Sequence, residues 1–199
     1  MRRLFASVAL TLAALAPVTA FEAGTEAVLD RLKTGKLVPI AEVGQLMMAS
    51  ERWCYLERDG ACSWSDIYLE VTADTATYEI GNAWDAEINV QFTDHGTFKE
   101  GRYICETGYD WVPTIRAQRQ SDGAEIGGRE LFEIKRGIAE GRSETIDCFD
   151  YVLQGTDDVA QTITLLQRQY TDDVHIPEND VAVTVHFDAE AAASLTWYY

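Results

Sequence analysis

The sequence predicts an α+β fold that is mostly β: one antiparallel sheet, strongly curled or closing into a partial barrel, with two N-terminal helices and one inserted helix. Three observations carry this. Apolar residues fall at helical spacing in three stretches, two of them before residue 50 and one near residue 130. From Arg52 onward the period changes to two, the mark of strands with one buried face. The strand patterns follow one another without the alternating helices that a parallel sheet needs, which favours antiparallel pairing.

Thr25 is placed to cap a short helix carrying Val28, Leu29 and Leu32, with Gly35 as its stop. After Pro39, which suits a first turn, Ile40, Val43, Leu46 and Met47 share one face of a second helix ending near Ser50. Ile67, Leu69 and Val71 then alternate with Asp66, Tyr68 and Glu70. Ala76, Tyr78 and Ile80 alternate with Thr75, Thr77 and Glu79, and Ile88, Val90 and Phe92 with Asn89, Gln91 and Thr93. His95-Gly96 reads as a hairpin tip, with residues 97–107 as the returning strand. Residues 111–119 form another strand, at an edge or bulge because of Pro113, and Ser121-Asp122-Gly123 a turn. Gly127-Gly128 opens a third helix over 129–140, with Leu131, Ile134 and Ile138 on one face and Gly141 at its end. Strands follow at 145–154, 159–170, 180–188 and 194–199. No linker or internal repeat divides residues 21–199, which read as a single globular domain.

The first 20 residues, MRRLFASVALTLAALAPVTA, have the form of an export signal. Arg2 and Arg3 supply positive charge. Leu4 to Leu15 is an apolar run too short to span a bilayer, and Val18-Thr19-Ala20 offers small residues to a signal peptidase. Cleavage after Ala20 would leave a periplasmic or secreted chain of 179 residues, and loss of the two arginines would take the net charge from −17 to −19. No later stretch is long and apolar enough for a transmembrane helix. So acidic a protein is a poor match for nucleic acid, whose phosphates call for clustered Lys and Arg, or for an anionic membrane surface.

The four cysteines, Cys54, Cys62, Cys105 and Cys148, are even in number, as disulfides in an exported chain require. The preferred pairing is Cys54–Cys62 with Cys105–Cys148. The first has a geometric difficulty. A two-residue turn at Asp59-Gly60 pairs positions whose numbers sum to 119, whereas 54 and 62 sum to 116. That bridge therefore needs a bulge or an irregular loop.

Motifs for nucleotide-binding loops, serine hydrolases, zinc proteases and calcium loops are absent, and no cofactor is expected. His95, His175 and His186 stand at no recognised family spacing. His175 with Asp172, Asp173 or Glu178 is a conceivable metal set; solvated surface residues are the plainer reading. The aromatic residues are more informative. Trp64 and Tyr68 share parity with Asp66 and Glu70, on the face opposite Ile67 and Leu69. Rings beside carboxylates on a wet sheet face would form a platform for a sugar, a cation or a partner side chain; a second apolar layer under the N-terminal helices is the alternative.

The last residues, LTWYY, resemble the terminal strand of outer-membrane β-barrels, which would imply lipid-facing strands of about 9–11 residues. Three functional expectations follow. The first is an exported, non-catalytic domain that binds a protein partner or small ligand on its curled sheet. The others are an exported hydrolase using carboxylates or a His–carboxylate pair, and a small outer-membrane barrel.

Overall fold

The computed structural model describes residues 21–106, 108, 110–141 and 145–199, so the expected export signal at 1–20 lies outside the described residues. The dominant element is an eight-stranded antiparallel barrel. Its strands are β1 (Arg52–Tyr55), β2 (Trp64–Val71), β3 (Thr75–Ala83), β4 (Ile88–Lys99), β5 (Tyr103–Glu106), β6 (Asp147–Asp157), β7 (Thr162–Thr171) and β8 (Val181–His186). Each pairs with its neighbours in the chain, and β8 returns to β1 through Val183 opposite Tyr55 and Val185 opposite Trp53. The expected curled sheet therefore closes. Closure removes the free edges, and eight strands leave room inside for side chains or one small ligand.

The inward set follows from the register: Trp53 and Tyr55; Asp66 and Tyr68; Tyr78; Asp94; Ile104 and Glu106; Phe149, Tyr151 and Leu153; Leu165 and Gln167; Val183 and Val185. One end of the barrel is closed by helices α1 (Ala23–Leu29) and α2 (Ile40–Ala49). Val28, Ile40, Val43, Leu46 and Met47 share a core with Trp53, Leu153, Ile163, Leu165, Val183 and Val185. Each such side chain contributes about 1.5–3 kcal/mol on burial, which fixes the helices as a plug. The plug is tied to the barrel by Ile40 N–H donating to the Gly101 carbonyl at 3.1 Å and by Trp53 Nε1 donating to Ser50 Oγ at 2.8 Å.

The seam is β5 against β6, only two paired positions wide: Cys105 opposite Cys148 and Ile104 opposite Phe149. The Cys105–Cys148 disulfide staples it, and residues Leu37–Val38 pair with the rest of the exposed edge of β6. Closing that loop would contribute about 4 kcal/mol through the unfolded chain. Cys54–Cys62 is the second bridge, with Cα atoms 5.2 Å apart. Asp59-Gly60 does form the two-residue turn, with Arg58 bridged to Ala61, but the chain has already left β1 at Leu56, whose φ is 51°. Cys62 comes back onto the outer face of β1 instead of sitting in hairpin register with Cys54, and this resolves the geometric difficulty.

The insertion between β5 and β6 builds a side lobe. Strand Arg116–Arg119 pairs with the first part of β4, and helix α3 (Gly128–Glu140) covers it, with Ile88, Val90, Ile115, Ala117, Ile126 and Ile134 as core.

Several sequence expectations are corrected. His95-Gly96 is not a hairpin tip; β4 runs through it and turns at Glu100-Gly101, both with positive φ. Gly96 stands mid-strand because the Ile104 side chain lies where a Cβ would go. Thr25 does not cap α1 but lies buried within it, and Glu22 is the N-cap residue. Residues 111–119 split into a 3-10 turn at Val112–Thr114 and the strand from Arg116. The expected terminal strand 194–199 shrinks to Thr196–Trp197, which pairs with Ala61–Cys62 outside the barrel, and a fourth helix, α4 (Ala189–Ser194), leads into it. Trp197 lies flat over Gly81, and its Nε1 donates to Ser65 Oγ at 3.0 Å. The LTWYY segment is therefore a strap around the barrel and not one of its staves.

Candidate functional site

The end of the barrel away from α2 is open and forms a cup of about 260 Å³. Its walls include Tyr55, Trp64, Asp66, Tyr68, Tyr78, Glu106, Asp147, Tyr151 and Gln167. Among the described residues that line it there is no Lys, Arg or His.

Strand pairing places each of these groups. Tyr55 and Trp64 are directly opposed on β1 and β2, and their rings stack with centroids 4.7 Å apart. Tyr68 and Tyr78 are opposed on β2 and β3, with centroids 5.4 Å apart. Tyr151 on β6 accepts a hydrogen bond from Gln167 Nε2 at 3.1 Å. Asp66 lies between these rings and is 5% exposed. Tyr55 Oη donates to its Oδ2 at 2.7 Å, while Oδ1 is buried with no hydrogen-bond partner. An unpaired buried carboxyl oxygen is costly, and the protein retains one in the wall of the cup.

The electrostatics follow from burial without counter-charge. Desolvation drives the Asp66 carboxyl up to about 7, helped by Asp94 and only partly opposed by the Tyr55 hydrogen bond. Glu106 is likewise pushed to about 7, by burial first and then by Asp147 and Asp94. Asp94, across from Tyr78, is raised to about 6 by burial, against the His95 backbone N–H and ring, with Asp110 adding to the rise. Burial also holds the Tyr55, Tyr68 and Tyr78 hydroxyls well above their usual range. Two carboxyls of the cup, Asp66 and Glu106, are thus raised toward neutrality and set among rings.

Asp150 provides an internal contrast. It also has a fully buried side chain, on the outward side of β6, but Arg168 Nε and Nη2 donate to it at 2.7 and 2.8 Å and Arg102 Nε at 2.7 Å. Asp150 is thus supplied with two arginines, and Asp66 with none.

The structure brings Trp64, Asp66 and Tyr68 together as one wall of the cup and leaves Glu70 outside. The cause is a β-bulge between Tyr68 and Glu70. The extra residue reverses the alternation, so Leu69 is 54% exposed, Glu70 faces solvent and Val71 turns in to pack near Gly44 of α2. The face carrying Trp64 and Tyr68 is the barrel interior; the opposite face, with Ile67 and Leu69, is the outer surface. Tyr55, Tyr78, Glu106, Tyr151 and Gln167 were missed as site residues. Parity held a signal for Asp94, which continues the phase of Ile88, Val90 and Phe92.

The histidines lie elsewhere. His95 is on the outer side of β4, with its Nδ1 3.1 Å from Thr77 Oγ1. His175 meets Asp180 at 2.9 Å, and His186 meets Glu57 at 2.8 Å. Among the described residues, the one cluster of metal-ligating side chains is Cys54, Glu57 and His186, and Cys54 is already bonded to Cys62. The set expected around His175 is not brought together as a cluster of that kind.

The two disulfides suggest an oxidising, exported environment. No helix among the described residues is long and apolar enough to cross a membrane. Comparison with family models, with curated proteins and with solved structures finds no match.

Proposed function

We propose that this is a periplasmic or secreted binding protein that holds one small molecule in the open end of its barrel. A single observation carries the reading: the same eight strands that are packed solid under α2 leave, at the other end, a 260 Å³ cup lined by stacked rings and polar groups. Convergent polar groups in an otherwise aromatic concavity are the usual form of a small-molecule site, and this volume suits a ligand smaller than a typical drug. Trp64, Asp66 and Tyr68 are the wall residues read from the sequence; Tyr55, Tyr78 and Glu106 complete the cup.

The test is tryptophan fluorescence against a panel of small polar, aromatic and charged molecules, with Trp64→Phe as control. A ligand of the cup changes the emission of the parent protein, and Trp64→Phe removes most of that change. A response that survives Trp64→Phe intact places binding elsewhere and ends this reading.

One observation favours a second reading, an exported hydrolase. Asp66 and Glu106 sit near the pKa a general acid needs at neutral pH. Turnover of a bound ligand, abolished by Glu106→Gln with binding intact, would favour it. The membrane-barrel reading has little support: the outward positions of β3 and β4 are Thr75, Thr77 and Glu79, and Asn89, Gln91, Thr93 and His95, where a lipid-facing band would be apolar.

A further inference from the structure

The cup's chemistry selects among ligands. We infer that the barrel binds a small organic cation, an amine or quaternary ammonium, with Asp66 as its counter-ion and the surrounding rings as its cage. The inference rests on the binding reading above and specifies its ligand class.

Four features converge. Asp66 is nearly fully buried, lines the cup and keeps Oδ1 without a hydrogen-bond partner, so one strong acceptor remains unused. Glu106 and Asp147 stand at the same cavity, and no basic side chain among the described residues lines it, so nothing there offsets their charge. An anionic ligand would meet carboxyls on two walls, Asp66 on β2 and the Glu106–Asp147 neighbours across the β5–β6 seam. A neutral ligand could use Oδ1 but would leave the other carboxyls without a counter-charge. The rings supply the second half of the recognition: the stacked Tyr55–Trp64 pair and the Tyr68–Tyr78 pair line the same cavity as Asp66, and a desolvated cation over an aromatic face is attracted to it. The same geometry argues against a metal ion. Among the described residues, the acidic side chains of the cup form no cluster of three that could reach one ion. Spread carboxyls and flat rings suit a diffuse charge better than a point charge.

The rest of the fold reserves this arrangement for the lumen. The buried Asp150, on the outer side of β6, is satisfied by Arg102 and Arg168, whereas Asp66 in the lumen has no cation of this chain among the described lining residues.

The experiment is isothermal titration at pH 8 with three probes of similar shape: benzylamine, benzyl alcohol and benzoate. Benzylamine binds at least tenfold more tightly than benzyl alcohol, and benzoate gives no heat. Asp66→Asn lowers benzylamine affinity at least tenfold and leaves benzyl alcohol unchanged. Glu106→Gln, nearer the rim, gives a smaller loss of the same kind and keeps the test usable if Asp66→Asn folds poorly. Benzyl alcohol or benzoate binding as tightly as benzylamine, or benzylamine affinity unmoved by both substitutions, overturns the cation assignment while leaving the binding reading in place. Absence of heat from all three, with no change in the Asp66 carboxyl ¹³C resonance, overturns both.

Discussion

At the plugged end of the barrel, Trp53, Leu153, Ile163, Leu165, Val183 and Val185 share one apolar core with Val43, Leu46 and Met47 of α2, and the Trp53 indole N–H is taken up by Ser50. One to three inward positions further along the same strands stand Tyr55, Tyr151, Gln167 and Asp147, which line the cup. On β6 the inward order is Asp147, Phe149, Tyr151, Leu153; on β7 it is Gln169, Gln167, Leu165, Ile163. The strands are continuous and the alternation is the same, so pairing cannot explain the difference. What differs is what each end meets: a helix of this chain at one, an open cavity at the other. Alternation tells which side of a sheet a residue faces, and the polarity gradient along the inward side tells which end of the barrel is plugged and which is open.

The largest expected effect tests the plugged end. Trp53 is fully buried, contacts the Tyr68 and Tyr151 rings edge-on and hydrogen-bonds to Ser50 at the end of α2. Trp53→Ala removes the central wedge between helix and barrel and is expected to cost about 3–5 kcal/mol in urea unfolding. Trp64→Ala, the cup's half-buried counterpart, is expected to cost roughly half of that, because its cavity opens to water. Equal losses at the two positions would mean that the cup is as tightly packed as the plug, and the comparison would fail.

A smaller effect separates the two ends by pH. Carboxyl values raised on folding mean that the folded chain holds protons the unfolded chain has released. The stability these groups contribute is fully present below about pH 4 and is lost as pH rises through 6 to 7. For Asp66 alone the loss between pH 5 and pH 8 is roughly 2–3 kcal/mol. Asp66→Asn is therefore expected to unfold at a higher temperature than the parent at pH 8, with the gap narrowing toward pH 5. A variant less stable than its parent by the same amount at both values would show that Asp66 is a structural hydrogen-bond acceptor and nothing more.

Much of this fold was legible in the sequence because its cause is periodic. The change from a spacing of three and four to two near Arg52 marks where plug gives way to barrel, and Ile40, Val43, Leu46 and Met47 on one face foretold the face that seals it. The illegible parts are those where a residue type has two uses. Gly96 signals a turn in most strands, but here it clears space for Ile104. Inward polar residues such as Gln167 and Glu106 carry the composition of a wet face, so alternation alone cannot mark them as lumen. The two halves of the Cys54–Cys62 loop were readable, but not the kink at Leu56 that lets them meet.

Glu70 gives the smallest expected effect and the sharpest check on register. Parity groups it with Trp64, Asp66 and Tyr68; the bulge at Leu69 puts it on the outside, facing solvent. Glu70→Gln is accordingly expected to change stability by no more than about 0.5 kcal/mol and to leave binding in the cup untouched. The control is the neighbour across the bulge: Asp66→Asn changes one carboxyl to an amide four residues away and moves both the pH profile and the binding. If Glu70→Gln behaved like Asp66→Asn, β2 would run without its bulge. Val71 would then face solvent, leaving its contact with Gly44 of α2 unmade, and Leu69 and the barrel's closure would have to be drawn again.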